Sequence, residues 1–294
     1  MEPSALQHVV TEVRGSHDAS AIEAQRCARF VREYLHPTLQ AHFGLRDHLV
    51  VLSDGCGVGG DVEALVALGY RAVGIDPGPR RDAWPFRTCQ HRLLGADGLG
   101  LPFRDGSFDA VLSFGVLDHI GTINHSYQLD PHAQAMRCQY VQEALRVTKP
   151  GGAVIVGVIN RRCPIDPFHA PNCCGVRLHG PWDGHSVSWG QLRRWAQLSG
   201  QSQPIEALPF DRRVFAWEGL RARWWGRRWF PQILALIDTL FGSERLKLLR
   251  TSCLNPFLLV KITKVHSRQG EAGGTSARAH EIQFGQTSCV RFAP

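Results

Sequence analysis

The sequence lacks the long apolar runs, the even cysteine framework and the extreme charge that mark membrane, secreted and disordered proteins. Its longest apolar stretch, Trp229 to Phe241, is about half of the ~20 residues that a membrane span needs, and Asp238 interrupts it. Its nine cysteines are an odd number, and the first residues show no basic segment followed by an apolar one. Charged residues make up 20% and hydrophobic residues 44% of the chain, which excludes a wholly disordered protein. We therefore expect a reduced, cytoplasmic and globular protein.

The middle of the chain alternates short β-branched runs with helical patterns, as an α/β fold with crossover helices does. Apolar runs such as AVIVGVI indicate strands that are buried on both faces of a parallel sheet. Helices are predicted at Asp61–Leu68 and at His132–Val147, and Pro150-Gly151-Gly152 should stop the second one. The predicted strands are Leu49–Ser53, Arg71–Asp76, Arg92–Ala96, Asp109–Phe114, Ala153–Ile159, Pro204–Phe210 and Pro256–Thr263.

The chain divides into five regions by composition. An N-terminal helix, Ala19–Leu35, should end before Pro37 and cover one face of the sheet. The segment after the fifth strand is rich in proline and glycine, which favours a long loop that serves as a lid. The regions are a helical cap (1–45), a core (46–160), a lid loop (161–187), a C-terminal half of the sheet with a helical insertion (188–265) and a flexible tail (266–294).

A glycine-rich turn lies between the first strand and the next helix, in VVLSDGCGVGGDVEALVALG. Its glycines satisfy the dinucleotide pattern G-x-G-x-x-G, yet Asp54 and Asp61 flank the place where a pyrophosphate would bind and would repel it. Asp76 follows at the end of the second strand, where a carboxylate can accept hydrogen bonds from both ribose hydroxyls. The pattern therefore favours a nucleoside that carries a positive charge and no phosphate.

Four segments, SDGCGVGG, VGIDPG, GADGLGLPFRDGSFDAVLSFGVLDHI and EALRVTKPGG, together resemble the class I S-adenosylmethionine-dependent methyltransferases, in particular the type 11-like group that acts on small molecules. The resemblance covers roughly Leu49 to Ile159. It implies a doubly wound, mostly parallel, seven-stranded Rossmann-like sheet with S-adenosyl-L-methionine as cofactor. The N-terminal helical cap and the helical insertion before the last strand would flank this sheet.

The resemblance also implies which residues hold the cofactor. The glycine loop would line the methionine part, the residues after the second strand the ribose, those after the third strand the adenine edge and those ending the fourth strand the sulfonium. In chain order these residues are Ser53, Asp54, Gly55, Cys56, Gly57, Gly59, Asp76, Pro77, Asp97, Gly98, Leu99, Phe114 and Gly115. Asp109 is expected to cap the fourth strand instead of touching the ligand.

The first strand departs from the family at two neighbouring positions. Family members usually carry an acid two residues before the first glycine, where Ser53 stands, and an apolar residue at the position of Asp54. Neighbouring strand residues face opposite ways, so Asp54 does not simply replace the missing acid. The departure at Ser53 keeps one rival function open, a non-catalytic binding module of the same fold. An NAD(P)-dependent oxidoreductase, to which the G-x-G-x-x-G pattern points, is the third possibility.

A general base is needed only if the methyl acceptor must lose a proton, and the histidines after the fourth strand are the candidates. We name His119 and His185 as catalytic candidates, with packing in the cofactor site as the favoured role of His119 and a surface position as that of His185. The other candidates are His125, His169 and His179. The nearby cysteines, Cys163, Cys173 and Cys174, lack two separated Cys-x-x-Cys pairs, so we expect no metal site.

The segment from Trp189 to Arg250 carries most of the excess of basic residues and six of the eight tryptophans. Arginines, tryptophans and an apolar helical stripe from Phe230 to Phe241 suit a lipid-like acceptor, or peripheral contact with an anionic membrane through residues 217–250. The equal alternative is an insertion that packs its stripe on the sheet, and RNA binding is less favoured. The predicted function is methyl transfer to a small or lipid-like acceptor, more at oxygen than at carbon or nitrogen.

Overall fold

The computed structural model describes residues 19–45, 48–123, 127–166, 177–198, 202–209, 232, 236 and 239–265. Seven strands form one sheet in the order β3-β2-β1-β4-β5-β9-β8. Strand β9 runs antiparallel to both of its neighbours, and the pairs from β3 to β5 are parallel. The strands are β1 Val50–Asp54, β2 Arg71–Ile75, β3 Leu93–Leu94, β4 Phe108–Phe114, β5 Thr148–Ile159, β8 Ser202–Ala207 and β9 Phe257–Lys264. The doubly wound, mostly parallel α/β sheet is confirmed.

Helices cover both faces of this sheet. Neighbouring residues of β1 serve opposite faces: Val51 packs with Leu35 of the first helix, and Leu52 packs with Tyr140 of the third. Side chains on both faces are therefore apolar, as buried parallel strands require. The helices are α1 (19–43), α2 Gly60–Ala67, α3 Ala133–Val147 and α4 Trp189–Leu198. Among the described residues, we find no helix with the length and hydrophobicity to cross a bilayer.

The first helix continues past Pro37, so the prediction that it ends before this residue is wrong. Residues Val31–Leu35 widen into a π-helical turn, in which the N–H of His36 donates to the carbonyl of Val31. Pro37 then stands in the first turn of the following α-helical segment, His36–Phe43, where its missing N–H costs least. The helix packs Val31 and Leu39 into the core on one face of the sheet.

The third helix ends at Val147, as predicted, and the motif Pro150-Gly151-Gly152 lies inside β5, which starts at Thr148. Phe108 pairs with Thr148, but Ala110 already pairs with Ala153, so the extra residues of β5 bulge out of the ladder. A Cβ atom on Gly152 would come within 2.6 Å of the Asp109 carbonyl oxygen, which explains the glycine. Asp109 accepts a hydrogen bond from the Val50 N–H of β1 (2.8 Å) and pairs with Lys149 (3.0 Å), so its carboxylate links β4 to the neighbouring strands instead of capping β4 itself.

The predicted lid loop contains regular structure. Strands β6 Ile165–Asp166 and β7 Arg177–Leu178 pair antiparallel as a small second sheet. The N–H of Val187 donates to the carbonyl of Ile159 (3.1 Å), which holds the end of this segment beside the last residue of β5. The lid role itself stays a prediction.

The basic, tryptophan-rich insertion lies largely outside the described residues, as does the tail from 266 onward. At the end of the insertion, Phe241 is buried in the core, and Leu240 is partly buried and packs against the same core. Arg250 is also buried, and its guanidinium donates to the Phe241 carbonyl (2.8 Å). This end of the apolar stripe therefore packs against the domain, in line with the alternative that gives it a structural role.

Candidate functional site

The glycine loop after β1 forms a tight turn against the end of β2. The N–H groups of Gly55 and Cys56 both donate to the carbonyl of Ile75, at 2.9 Å each. Gly55 has φ +83°, and a Cβ atom there would come within 2.2 Å of a methyl group of Val116. Only glycine satisfies both the backbone conformation and the close approach. The turn therefore opens the carboxyl edge of the sheet to a ligand.

Asp76, the residue after β2, ties this loop to the following segment. Its two carboxylate oxygens accept hydrogen bonds from the N–H groups of Gly57 (2.9 Å) and Gly78 (2.7 Å). Each carboxylate oxygen keeps a second lone pair, so the carboxylate can accept two further bonds from outside. Pro77 is exposed beside it. This geometry suits a pair of vicinal hydroxyls.

The turn after β3 carries the predicted adenine-edge residues. Exposed Asp97 accepts a hydrogen bond from the N–H of Leu99 (2.9 Å), which fixes the turn. Gly98 is buried, and a Cβ atom there would collide with Tyr140 (2.3 Å) and with the carboxyl of Asp54 (2.8 Å). The turn thus presents backbone and one carboxylate to the edge of the sheet.

Open space adjoins the end of β4. Gly115 donates its N–H to the Gly157 carbonyl (3.0 Å), and a Cβ atom on Gly115 would meet no atom within 4 Å. Phe114 packs edge-on against Phe30 of α1, with ring centroids 5.0 Å apart. The open side of Gly115 and the acids Asp76 and Asp97 all lie at the carboxyl edge of the parallel strands, where ligands of α/β folds bind. These residues fit a positively charged adenosine compound.

Ser53 and Asp61 together take the place of the acid that the first strand usually carries. The Ser53 hydroxyl donates to the Asp61 carboxylate, whose other oxygen accepts from the N–H of Val62 (2.8 Å). Burial raises the pKa of Asp61 to about 6, against the lowering effect of these hydrogen bonds. The acid is therefore supplied by the first turn of α2. From the sequence, Asp61 was interpreted only as a charge that repels a pyrophosphate. The signal for its role is Ser53, a hydroxyl residue that stands eight residues earlier at the position of the usual acid.

Asp54 points away from Asp61, onto the other face of the sheet. It is 3% exposed and hydrogen-bonds Tyr140, whose hydroxyl also bonds Ser113 (2.8 Å). Burial, with smaller contributions from the carboxylates Asp97 and Asp76, raises the pKa of Asp54 to about 7. The predicted cofactor residue Asp54 thus lies beneath Gly98 and does not line the open edge.

Residues that the sequence did not reveal brace the outer side of the glycine loop. The indole N–H of Trp84 donates to the Gly57 carbonyl (2.8 Å). Arg80 forms an ion pair with Glu23 of α1, and both side chains lie within 4 Å of where a Gly57 Cβ would stand. The helical cap, which was expected to cover one face of the sheet, therefore also reaches the glycine loop.

The structure brings His119 and His185 together. Their ring centroids lie 5.4 Å apart in an edge-on arrangement, and Tyr127 packs edge-on against His185 at 5.3 Å. His119 is exposed, whereas His185 is 2% exposed. The expectation of a surface position for His185 is therefore wrong. Of the two imidazoles, only that of His119 is open to a ligand.

Buried Arg137 of α3 joins the two histidine segments. Its guanidinium donates to the carbonyls of Asp118 (2.9 Å) and Ile120 (3.0 Å) on either side of His119, and to that of Gly184 (2.7 Å) beside His185. The sequence gives no signal that Arg137 joins these segments, because an arginine in the middle of a helix is ordinarily predicted to be solvated.

An ion network fixes the β6–β7 hairpin next to these histidines. Arg177 forms two hydrogen bonds with Asp183 (2.9 and 3.0 Å), and Asp166 lies 3.7 Å from the same guanidinium. Asp183 also accepts from the Ser186 hydroxyl (2.6 Å), and the His179 ring lies 3.7 Å away. The Arg177 charge and these hydrogen bonds hold the pKa of Asp183 well below its usual range despite burial.

Several candidates cannot be placed. His125, His169, Cys173 and Cys174 lie outside the described residues. Among the residues that the structure does describe, no three potential metal ligands come together.

Comparisons with known proteins match the central part of the chain. The family "Methyltransferase domain" matches residues 52–156. A protein of Mycobacterium sp. (strain KMS) named "Uncharacterized methyltransferase" is 36% identical over 107 residues, which are 36% of this chain and 37% of that protein. A "Probable S-adenosylmethionine-dependent methyltransferase" of Mycolicibacterium smegmatis is 28% identical over 131 residues, 40% of this chain and 44% of that protein.

Similar solved structures include a Burkholderia thailandensis 1,6-didemethyltoxoflavin-N1-methyltransferase with bound S-adenosylhomocysteine, at 16% identity and a TM-score of 0.47, covering 90% of this chain and 92% of that one. The chain spans less than half of the length of the curated relatives named above. The matched family covers residues 52–156, so this part of the chain is similar to methyltransferase domains, including that of a probable S-adenosylmethionine-dependent methyltransferase.

Proposed function

We propose that the protein transfers a methyl group from S-adenosyl-L-methionine to an oxygen atom of a small or lipid-like acceptor. The observation that carries the proposal is the carboxylate of Asp76, which clamps the N–H groups of Gly57 and Gly78 at the carboxyl edge of the sheet and keeps two lone pairs for a ribose. The acids at this edge favour a cationic ligand over a pyrophosphate, which argues against the nicotinamide-dependent alternative.

The cofactor residues divide by position along this edge. Asp76 and Pro77 would hold the ribose, and the turn that Asp97 fixes would meet the adenine edge. Gly55, Cys56, Gly57 and Gly59 would line the methionine part. Phe114 and the open side of Gly115 would flank the sulfonium, which when bound supplies both the methyl group and its leaving group. The protein mainly supplies alignment and exclusion of water.

His119 is the candidate base on the acceptor side. It follows β4, is exposed and lies against the buried ring of His185. The His119 imidazole would accept the proton that the acceptor hydroxyl loses when it is methylated. His185 and Arg137 would hold that ring in place.

Calorimetric titration with S-adenosylmethionine and S-adenosylhomocysteine tests the cofactor assignment. We expect micromolar binding of both ligands and a loss of at least about thirtyfold in affinity for Asp76→Ala, since charge-assisted hydrogen bonds are worth about 1.5–3 kcal/mol. Asp82→Ala, which changes an exposed acid of the following short helix, is the matched control and should bind normally. Absence of binding by the unmodified protein would instead favour a non-catalytic module.

Incubation of a cell extract with the protein and isotope-labelled methyl donor, followed by mass spectrometry, identifies the acceptor directly. We expect one labelled methyl group on an oxygen of a metabolite. His119→Gln should slow its formation by about a hundredfold or more, the usual contribution of a general base, while leaving cofactor affinity unchanged. An equal rate would remove His119 from the mechanism.

The basic segment 217–250 provides the proposal for a lipid-like acceptor or peripheral membrane contact. Liposome sedimentation at two salt concentrations tests it, because attraction between arginines and anionic lipids weakens as salt screens the charges. We expect co-sedimentation with anionic vesicles at low salt only. Equal recovery in the supernatant with and without vesicles would end this part of the proposal.

A further inference from the structure

Asp54 is a buried carboxyl group whose position the proposed chemistry leaves unexplained. It ends β1, one residue before the glycine loop, and lies beneath Gly98 of the predicted adenine turn. One oxygen, Oδ2, has no hydrogen-bond partner among the described residues and is inaccessible to water. A buried carboxyl with an oxygen that lacks a hydrogen bond costs free energy, so packing alone does not account for an acid here.

Among the described residues, none of the groups that act on Asp54 carries a positive charge that would compensate its negative charge. They are Asp76 at the end of β2, Asp97 after β3 and Tyr140 of α3. Tyr140 hydrogen-bonds the carboxyl and in turn the hydroxyl of Ser113 on β4. An ionised carboxylate here is stabilised by that hydrogen bond and destabilised by two neighbouring acids and by burial.

We infer that Asp54 makes the site discriminate between the cationic sulfonium donor and its neutral thioether product. This inference depends on the proposed function, because it assigns the missing positive charge to the cofactor. Both ligands share the same adenosine, amino and carboxylate groups, so only the sulfonium charge distinguishes them. A carboxylate beneath the adenine turn attracts that charge through a layer of low dielectric without touching it, and the product gains nothing from it.

The discrimination should depend on pH. Burial raises the pKa of Asp54 to about 7, so near neutrality the apo protein holds part of this group protonated. A bound cation favours the ionised form and releases the proton. The preference for donor over product should therefore be small at pH 6 and larger at pH 8, where the carboxylate is already ionised.

Calorimetric titration of the full chain with S-adenosylmethionine and with S-adenosylhomocysteine, at pH 6 and pH 8, measures this preference. For the unmodified protein we expect the ratio of the two affinities to rise on the order of fivefold to tenfold between these pH values. Titrations at pH 7 in two buffers of different ionisation enthalpy should show release of a fraction of a proton with the donor and none with the product.

Two variants test the role of the Asp54 carboxylate by removing it. Asp54→Asn keeps its shape and Asp54→Leu restores an apolar residue; in both, the ratio should fall and become independent of pH, with folding checked by circular dichroism. Asp82→Asn is the control, since it removes an acid that is exposed on the short helix after β2, and its ratio should keep the pH dependence of the unmodified protein.

The outcomes separate this inference from the proposed function. Binding of both ligands with a ratio that does not change with pH, or an unchanged ratio in both Asp54 variants, overturns the inference and leaves the proposed function standing. Failure of the unmodified protein to bind either ligand overturns the proposed function and the inference with it.

Discussion

Two clusters of buried acids differ in what compensates their charge. At the end of β1, Asp54 and Asp61 meet hydroxyl groups, and burial raises their pKa values to about 7 and about 6. Beside the β6–β7 hairpin, Asp183 is partly buried, but the Arg177 guanidinium holds its pKa below the usual range. Aspartate side chains at two places along one edge of the sheet thus have pKa values shifted in opposite directions.

The contrast separates a structural acid from one held for a ligand. The Asp183 carboxylate finds its cation within the chain and stabilises the fold. The Asp54 carboxylate lacks an ion pair among the described residues and opposes the fold until a cation binds nearby. Opposite effects on stability, with opposite dependence on pH, should follow from removing the two acids.

The largest effect is expected for Asp183→Ala. It leaves Arg177, which is 14% exposed, without its bidentate partner, so unfolding by urea at pH 7 should show a loss of about 3 kcal/mol. Because the folded-state pKa of Asp183 is depressed, this contribution is present above the unfolded value and is lost as pH falls below about 4. Asp105→Ala is the control: that acid is 79% exposed in its pair with Arg146, and its removal should cost under about 1 kcal/mol.

Asp54→Leu should have an intermediate effect of the opposite sign. Replacing an incompletely bonded buried carboxyl with an apolar residue should stabilise the protein by about 2 kcal/mol at pH 7. Because the folded-state pKa of Asp54 is raised, its penalty is absent below about pH 4 and grows as pH rises toward 7, and the gain of the variant should follow it. Denaturation midpoints across this pH range measure the gain, and a gain of constant size would contradict the assignment.

Ser53→Ala should have the smallest effect. It removes the hydroxyl that donates to Asp61 and leaves one buried carboxylate oxygen without a donor, at a cost of about 1 kcal/mol. Ser107→Ala removes a comparable hydroxyl that bonds the Arg104 carbonyl at an exposed site, and its stability should hardly change. Equal stabilities of the two variants would show that the Ser53–Asp61 pair does not secure α2 to the sheet.

The spacing of apolar residues and the positions of glycine and proline were sufficient to predict most of the fold. The predicted strand Arg71–Asp76 and the predicted helix His132–Val147 match the structure to within one residue at each end, because their apolar spacing and the glycines and proline beside them are local features. The first helix was predicted too short, since the π turn that accommodates Pro37 depends on packing of Val31 and Leu35 against the sheet. The β6–β7 hairpin was missed because its two-residue strands depend on an ion network between distant residues.

The sequence by itself determined the strand–glycine–helix unit and the acids that follow β1, β2 and β3, because turn geometry and the carboxyl edge of a parallel sheet follow from local pattern. Only the tertiary structure decided which acid meets which partner: Asp61 turns to Ser53, Asp54 turns beneath Gly98, and Arg137 draws His119 toward His185. The reason is physical. Charge compensation depends on distances between side chains that are far apart along the chain, and folding alone sets those distances.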